Sequence, residues 1–129
     1  MTHRDEMEYL ITRSKEFLET AKYQINRSFY GLAVFSLEQA LQLYIKSRML
    51  AKGIEYPRTH SIRVLLEMLS DSAEGEEKSA IRSLIDKYLF ELGVLEDAYI
   101  TSRYVMREFR KEEAERLMKV VEEVMKNVT

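Results

Sequence analysis

From Phe29 to Lys52 the chain holds no proline and a single glycine, Gly31, while apolar side chains point in almost every direction a helix offers. Phe29, Tyr30, Ala33, Leu37, Ala40, Leu41 and Tyr44 form one stripe at about 100° per residue, and Phe35, Leu43, Met49 and Leu50 project elsewhere. A helix that is apolar nearly all round has to be covered on several sides, so it lies at the centre of its fold or in an interface.

The neighbouring segments supply elements that can cover it. Met7, Leu10, Ile11, Phe17, Leu18, Ala21 and Ile25 keep a 3.6-residue rhythm and predict a helix over about 4–26, with Asn26 and Ser28 as stop and fresh N-cap. Gly53 and Pro57 end the central helix and make 53–58 a loop. Thr59 is the expected N-cap of a short helix carrying Ile62, Leu65, Leu66 and Leu69, and the acidic 71–77 stretch is a solvated connection. Ile81, Leu84, Ile85, Tyr88, Leu92, Leu95 and Tyr99 stay in register across Gly93, which predicts one helix from about Glu77 to Tyr104 with a kink at the glycine. A last helix from about Lys111 carries Ala114, Leu117, Met118, Val121, Val124 and Met125. No run alternates apolar and polar residues with the period of a half-buried strand. The expected fold is all-α: one domain over residues 1–129, an up-and-down bundle of four main helices plus a short additional one.

The 46% hydrophobic content supplies a core without metals or disulfides, and the absence of cysteine excludes thiolate chemistry and cysteine-based zinc sites. Met1 to Asp5 do not have the layout of a signal peptide, and no stretch approaches the roughly 20 apolar residues of a membrane span, so a cytoplasmic location with no membrane contact is expected. Twenty basic against 22 acidic residues leave a net charge of −2, which argues against duplex DNA as a ligand.

Helical bundles often house metals, but His3 and His60 are the only histidines and neither stands in a Glu-x-x-His pair, so no metal and no cofactor are expected. Phosphate loops and the nucleophile elbow have no sequence signal here. His60, at the entrance of the short helix, reads as a capping or packing residue. Arg103 stands out because it lies on the apolar stripe of its helix, one turn after Tyr99 and beside Tyr104, with Arg107 one further turn along. A guanidinium offers a planar fork to a phosphate, and phenol rings can stack on a base. Tyr99, Arg103, Tyr104 and Arg107 are therefore the candidate ligand-binding residues; the same content would serve a protein interface, and no residue is assigned a catalytic role.

The ordered pieces resemble the HEPN family (higher eukaryotes and prokaryotes nucleotide-binding). They are Phe29-Tyr30-x-x-Ala33-x-Phe35-x-x-Glu38-Gln39-Ala40 continuing to Lys46, the Thr59-His60-Ser61-Ile62 helix start with Leu65-Leu66, and Tyr99-Ile100-x-x-Arg103-Tyr104. The resemblance spans nearly the whole chain and rests on order and spacing. It implies a bundle that commonly dimerises, is often encoded beside a minimal nucleotidyltransferase in toxin–antitoxin-like systems, and in many members is a metal-independent ribonuclease with an Arg-x(4 to 6)-His motif. Arg103 could supply that arginine, but positions 108, 109 and 110 are Glu, Phe and Arg, so the histidine is missing. The expected function is a binding module for a nucleotide or RNA, or for a nucleotidyltransferase partner. A weak, degenerate ribonuclease and a purely structural dimeric interaction protein are the alternatives. A homodimer is expected from the all-round apolar central helix and from Phe90 and Val94, which lie opposite the main stripe of their helix.

Overall fold

The computed structural model describes residues 2–104 and 107–129, with residues 101–104 described through their backbone alone. Helices α1 (His3–Asn26), α2 (Tyr30–Ala51), α3 (Ile62–Asp71), α4 (Gly75–Lys87), α5 (Leu89–Tyr104) and α6 (Lys111–Asn127) follow one another, and the described residues contain no strand. The all-helical bundle expected from the sequence is present, and among the described residues no helix is long and apolar enough to cross a membrane.

α2 is the central element. It packs most extensively on α1 and also touches α3, α5 and α6, so the chain itself covers most of the apolar side chains that project all round it, Leu32 near its start remaining exposed. Leu37, Leu41, Ile45 and Met49 are fully buried and join Leu65, Leu66 and Leu69 of α3, Leu92 and Leu95 of α5 and Val121 and Val124 of α6 in one core. Two polar contacts fix α1 on α2: the buried Ser14 hydroxyl donates to the Ala40 carbonyl at 2.7 Å, and Ser36 donates to Gln24 Oε1 at 2.7 Å. The turn between them needs Ser28 at φ 63°, a left-handed conformation that is uncommon for a residue with a Cβ. The N-cap of α2 is consequently Phe29, without a side-chain cap, and not the expected Ser28.

The predicted 77–104 helix is two helices. Tyr88, at φ −114° and ψ 24°, separates α4 from α5, yet the Leu84 carbonyl still accepts from Tyr88 N at 3.0 Å and the Tyr88 carbonyl from Leu92 N at 2.8 Å. One residue leaves the helical region, so the apolar stripe keeps its register through the break. Tyr88 O–H donates to Glu123 of α6. Gly93 lies inside α5 without interrupting it, beside the Arg63 guanidinium of α3, which a Cβ there would meet at 3.4 Å, an ordinary contact.

Candidate functional site

Glu38, Gln42 and Lys46 recur every fourth residue along α2 and so share one of its faces. Glu38 is fully buried, an expensive position for a carboxylate. Gln39 Nε2 donates to its Oε1 and Gln42 Nε2 to its Oε2, both at 2.6 Å. The Gln42 carbonyl oxygen accepts from Lys46 Nζ at 2.9 Å, so the amide faces the carboxylate with its nitrogen and the ammonium with its oxygen. Burial pushes the Glu38 carboxyl up to about 7; the two amide bonds and the Lys46 charge pull the other way, and the Glu96 charge adds to the rise. Burial in turn holds Lys46 below the ordinary lysine range, partly offset by Glu38. The ammonium also lies 5.1 Å from the centre of the Tyr56 ring, whose hydroxyl donates to Glu6 Oε1 at 2.8 Å.

Gln42 Nε2 lies 3.4 Å from His60 Nδ1 as well. One amide hydrogen serves Glu38 and the second is left for the imidazole, an arrangement that favours a histidine carrying its proton on Nε2. The short helix is capped two residues later than expected, at Ser61 in place of Thr59, and of the two roles expected of His60 it is packing that the structure shows. The N-cap of α3 is Ser61, whose Oγ accepts from Val64 N at 3.3 Å, while Thr59 Oγ1 accepts from Ser61 N at 3.1 Å. The exposed His60 ring stacks on Tyr99, with centroids 4.0 Å apart and planes 17° from parallel. Phe35 of α2 continues the stack, 6.4 Å from Tyr99 at 29°. Three aromatic rings from α2, the α3 entrance and α5 thus stand in a row beside the Glu38–Gln42–Lys46 face.

Glu96, one turn before Tyr99, holds the α3 entrance against α5. Its Oε1 accepts from Ser61 Oγ at 2.7 Å and Arg63 N at 2.8 Å, and its Oε2 accepts from Arg63 Nη2 at 2.9 Å. Burial pushes the Glu96 carboxyl up, but the bonds from Arg63 and Ser61 outweigh it and hold the group below the usual carboxylate range. The same two elements therefore meet twice, once through Glu96 and once through the His60–Tyr99 stack.

Of the residues singled out in the sequence, Tyr99 is in this cluster. Arg107 is engaged elsewhere: its Nη2 donates to Glu113 Oε2 at 2.9 Å and its guanidinium lies 4.1 Å from the centre of the buried Phe109 ring, at the start of α6. Arg103 and Tyr104 belong to the last turn of α5, and their side chains lie outside the described residues. Glu38, Gln42 and Lys46 carry a sequence signal that composition hides: polar residues four apart within a helix otherwise apolar all round. No three His, Asp or Glu side chains among the described residues converge as metal ligands would.

The family model described as "HEPN domain" matches residues 7–129. Among solved structures, the crystal structure of TT1696 from Thermus thermophilus is 25% identical with a TM-score of 0.73, over 98% of this chain and 94% of that one. No curated protein matches the chain. With the family model spanning nearly the whole sequence and a like-folded bundle among the solved structures, the chain belongs to the HEPN domain family.

Proposed function

We propose that this protein is a HEPN-type binding module that takes a nucleotide, or a nucleotide of single-stranded RNA, on the surface formed by His60 and Tyr99. The observation that carries the reading is the ordered stack of Phe35, Tyr99 and the exposed His60, because a base can extend a ring stack regardless of its sequence. Lys46, two turns of α2 beyond Glu38 and bonded to the amide that meets His60, is a cation on the same polar face for a phosphate. Arg103, four residues after Tyr99 on the same helix, is the proposed fork-shaped anion contact, with Tyr104 as a further ring. Arg107, held by Glu113, takes no part.

Chemical-shift mapping with adenosine and guanosine mono- and triphosphates, in buffer without divalent metal, tests this assignment. The expected result is a set of shifts centred on His60, Gln42 and Tyr99 and continuing to Arg103. Shifts confined to other surfaces, or none at millimolar nucleotide, would remove the ligand site from this face.

A second reading, residual metal-independent RNA cleavage, is favoured by one observation. The family's ribonuclease histidine is missing, yet an imidazole and a carboxyl that titrates near 7 flank the same Gln42 amide. Histidine and a raised carboxyl are the groups suited to general acid–base work near neutral pH. Pairing with a minimal nucleotidyltransferase in a toxin–antitoxin-like system is proposed from family membership, and co-purification with such a partner encoded beside this chain would support it.

A further inference from the structure

α5 presents a second surface, opposite the one that carries Tyr99. Phe90 and Tyr99 are nine residues apart, which at 3.6 residues per turn is about 180° around the helix. On the Phe90 side an open groove of about 630 Å³ is lined by Leu89, Phe90 and Val94 of α5, with Arg63 of α3 and Asp86 and Lys87 of α4 on its rim together with Glu91 and Asp97. Phe90 is 79% exposed and Leu89 49% exposed. Phe90 is the most exposed of the large apolar side chains among the described residues, and it stands out of an apolar strip.

The charges around that strip decide what fits it. Arg63 is tied to Glu96 at 2.9 Å, Lys87 to Glu123 at 3.1 Å and Glu91 to Arg116 at 2.6 Å. Asp86 and Asp97, both exposed, are in no ion pair among the described residues. Once the existing pairs are closed, the groove is an apolar floor with a surplus of two carboxylates. Asp97 also feels the Arg63 charge, but the net balance stays negative, and a second copy docked about a two-fold axis would double that surplus, which opposes self-association. Nucleic acid and anionic lipid would meet the same repulsion.

We infer that this groove is a docking surface for a basic amphipathic segment of another protein, one whose apolar side chains pack on Leu89, Phe90 and Val94 while flanking lysines or arginines meet Asp86 and Asp97. Helix-in-groove recognition works in this way, with apolar anchors on one face and complementary charges at the rim. Because α5 carries Tyr99 on its other side, a partner here leaves the His60–Tyr99 surface open, and both can be occupied at once.

The test uses the full chain and two synthetic helical peptides that share one leucine stripe, flanked in one by lysine and arginine and in the other by glutamate. Fluorescence anisotropy should show binding of the basic peptide, weaker at higher salt, and none of the acidic one. Phe90→Ser should weaken it about tenfold, as should the double substitution Asp86→Asn and Asp97→Asn. All of these positions are exposed, and unchanged thermal melts would confirm that the variants fold. Equal binding of both peptides, binding of neither, or indifference to these substitutions would overturn the proposal. So would sedimentation velocity showing a dimer of this chain that Phe90→Ser converts to a monomer, since a second copy would then own the face.

Discussion

Glu38 is a carboxyl held in a place where the proton is more comfortable than the charge. Its folded value of about 7 lies above the ordinary 4.5, so between those values the folded state keeps a proton that the unfolded chain releases. The stability this contributes is complete below about pH 4.5 and is lost as the pH rises through about 7, by at most about 3 kcal/mol. Thermal melts at intervals from pH 5 to pH 8 should therefore show a declining midpoint, and Glu38→Gln, which cannot ionise, should flatten that decline; an unchanged slope in the variant would assign the pH dependence to other groups. Residue roles are only partly legible in the sequence. Tyr99 is recognisable from its place on the stripe beside Arg103, but that His60 packs on Tyr99 is not, because sequence position gives its place at the helix entrance and not the direction of its ring. The ring meets Tyr99 through contacts 39 residues apart in the chain, which no local pattern encodes.

At the scale of elements, the site depends on how α3 is seated on α5. The Glu96 carboxylate accepts from Ser61 Oγ, Arg63 N and the Arg63 guanidinium, and its side chain is only 10% exposed. Hydrogen bonds to a charged group are worth roughly 1.5–3 kcal/mol each, reduced here for the half-exposed Arg63 side chain. Glu96→Ala should accordingly lower stability by roughly 2 kcal/mol and speed amide exchange at Arg63 and Val64, with weaker nucleotide binding because His60 loses its seat. Intact binding with lowered stability would separate the clamp from the site. The helices themselves are legible from 3.6-residue periodicity, including the central α2, because burial on one or all sides leaves a direct pattern. The break at Tyr88 is not, since a single residue turning out of the helical region shifts no stripe. The kink expected at Gly93 is absent, since the glycine continues α5 without interrupting it.

Over the whole molecule, the all-round apolar helix finds most of its cover within the chain, and the large apolar side chains left exposed include Phe90 and Ile100 on α5 and Tyr23 and Phe29 at the α1–α2 turn, with Tyr9, Leu32 and Val64 standing out elsewhere. The bundle thereby separates a stacked-ring surface on one side of α5 from an acidic-rimmed groove on the other. A ribonuclease assay separates the binding module from the degenerate enzyme. Purified protein in chelator should cut a short RNA slowly or not at all, since general acid–base help is worth roughly a hundred- to ten-thousand-fold and the family's motif histidine is missing. Robust cutting abolished by His60→Ala would instead make this site catalytic. The most direct measurement is calorimetric titration of the wild type and of His60→Ala with a short single-stranded RNA in metal-free buffer. The substitution removes the stack on Tyr99, so a modest fall in the melting midpoint is expected, and the titration is run well below it. The expected result is binding by the wild type that weakens in the variant by roughly 1–3 kcal/mol, the contribution of one stacked base. Equal heats from the two proteins, or no heat from either, would contradict a nucleotide-binding surface at His60 and Tyr99.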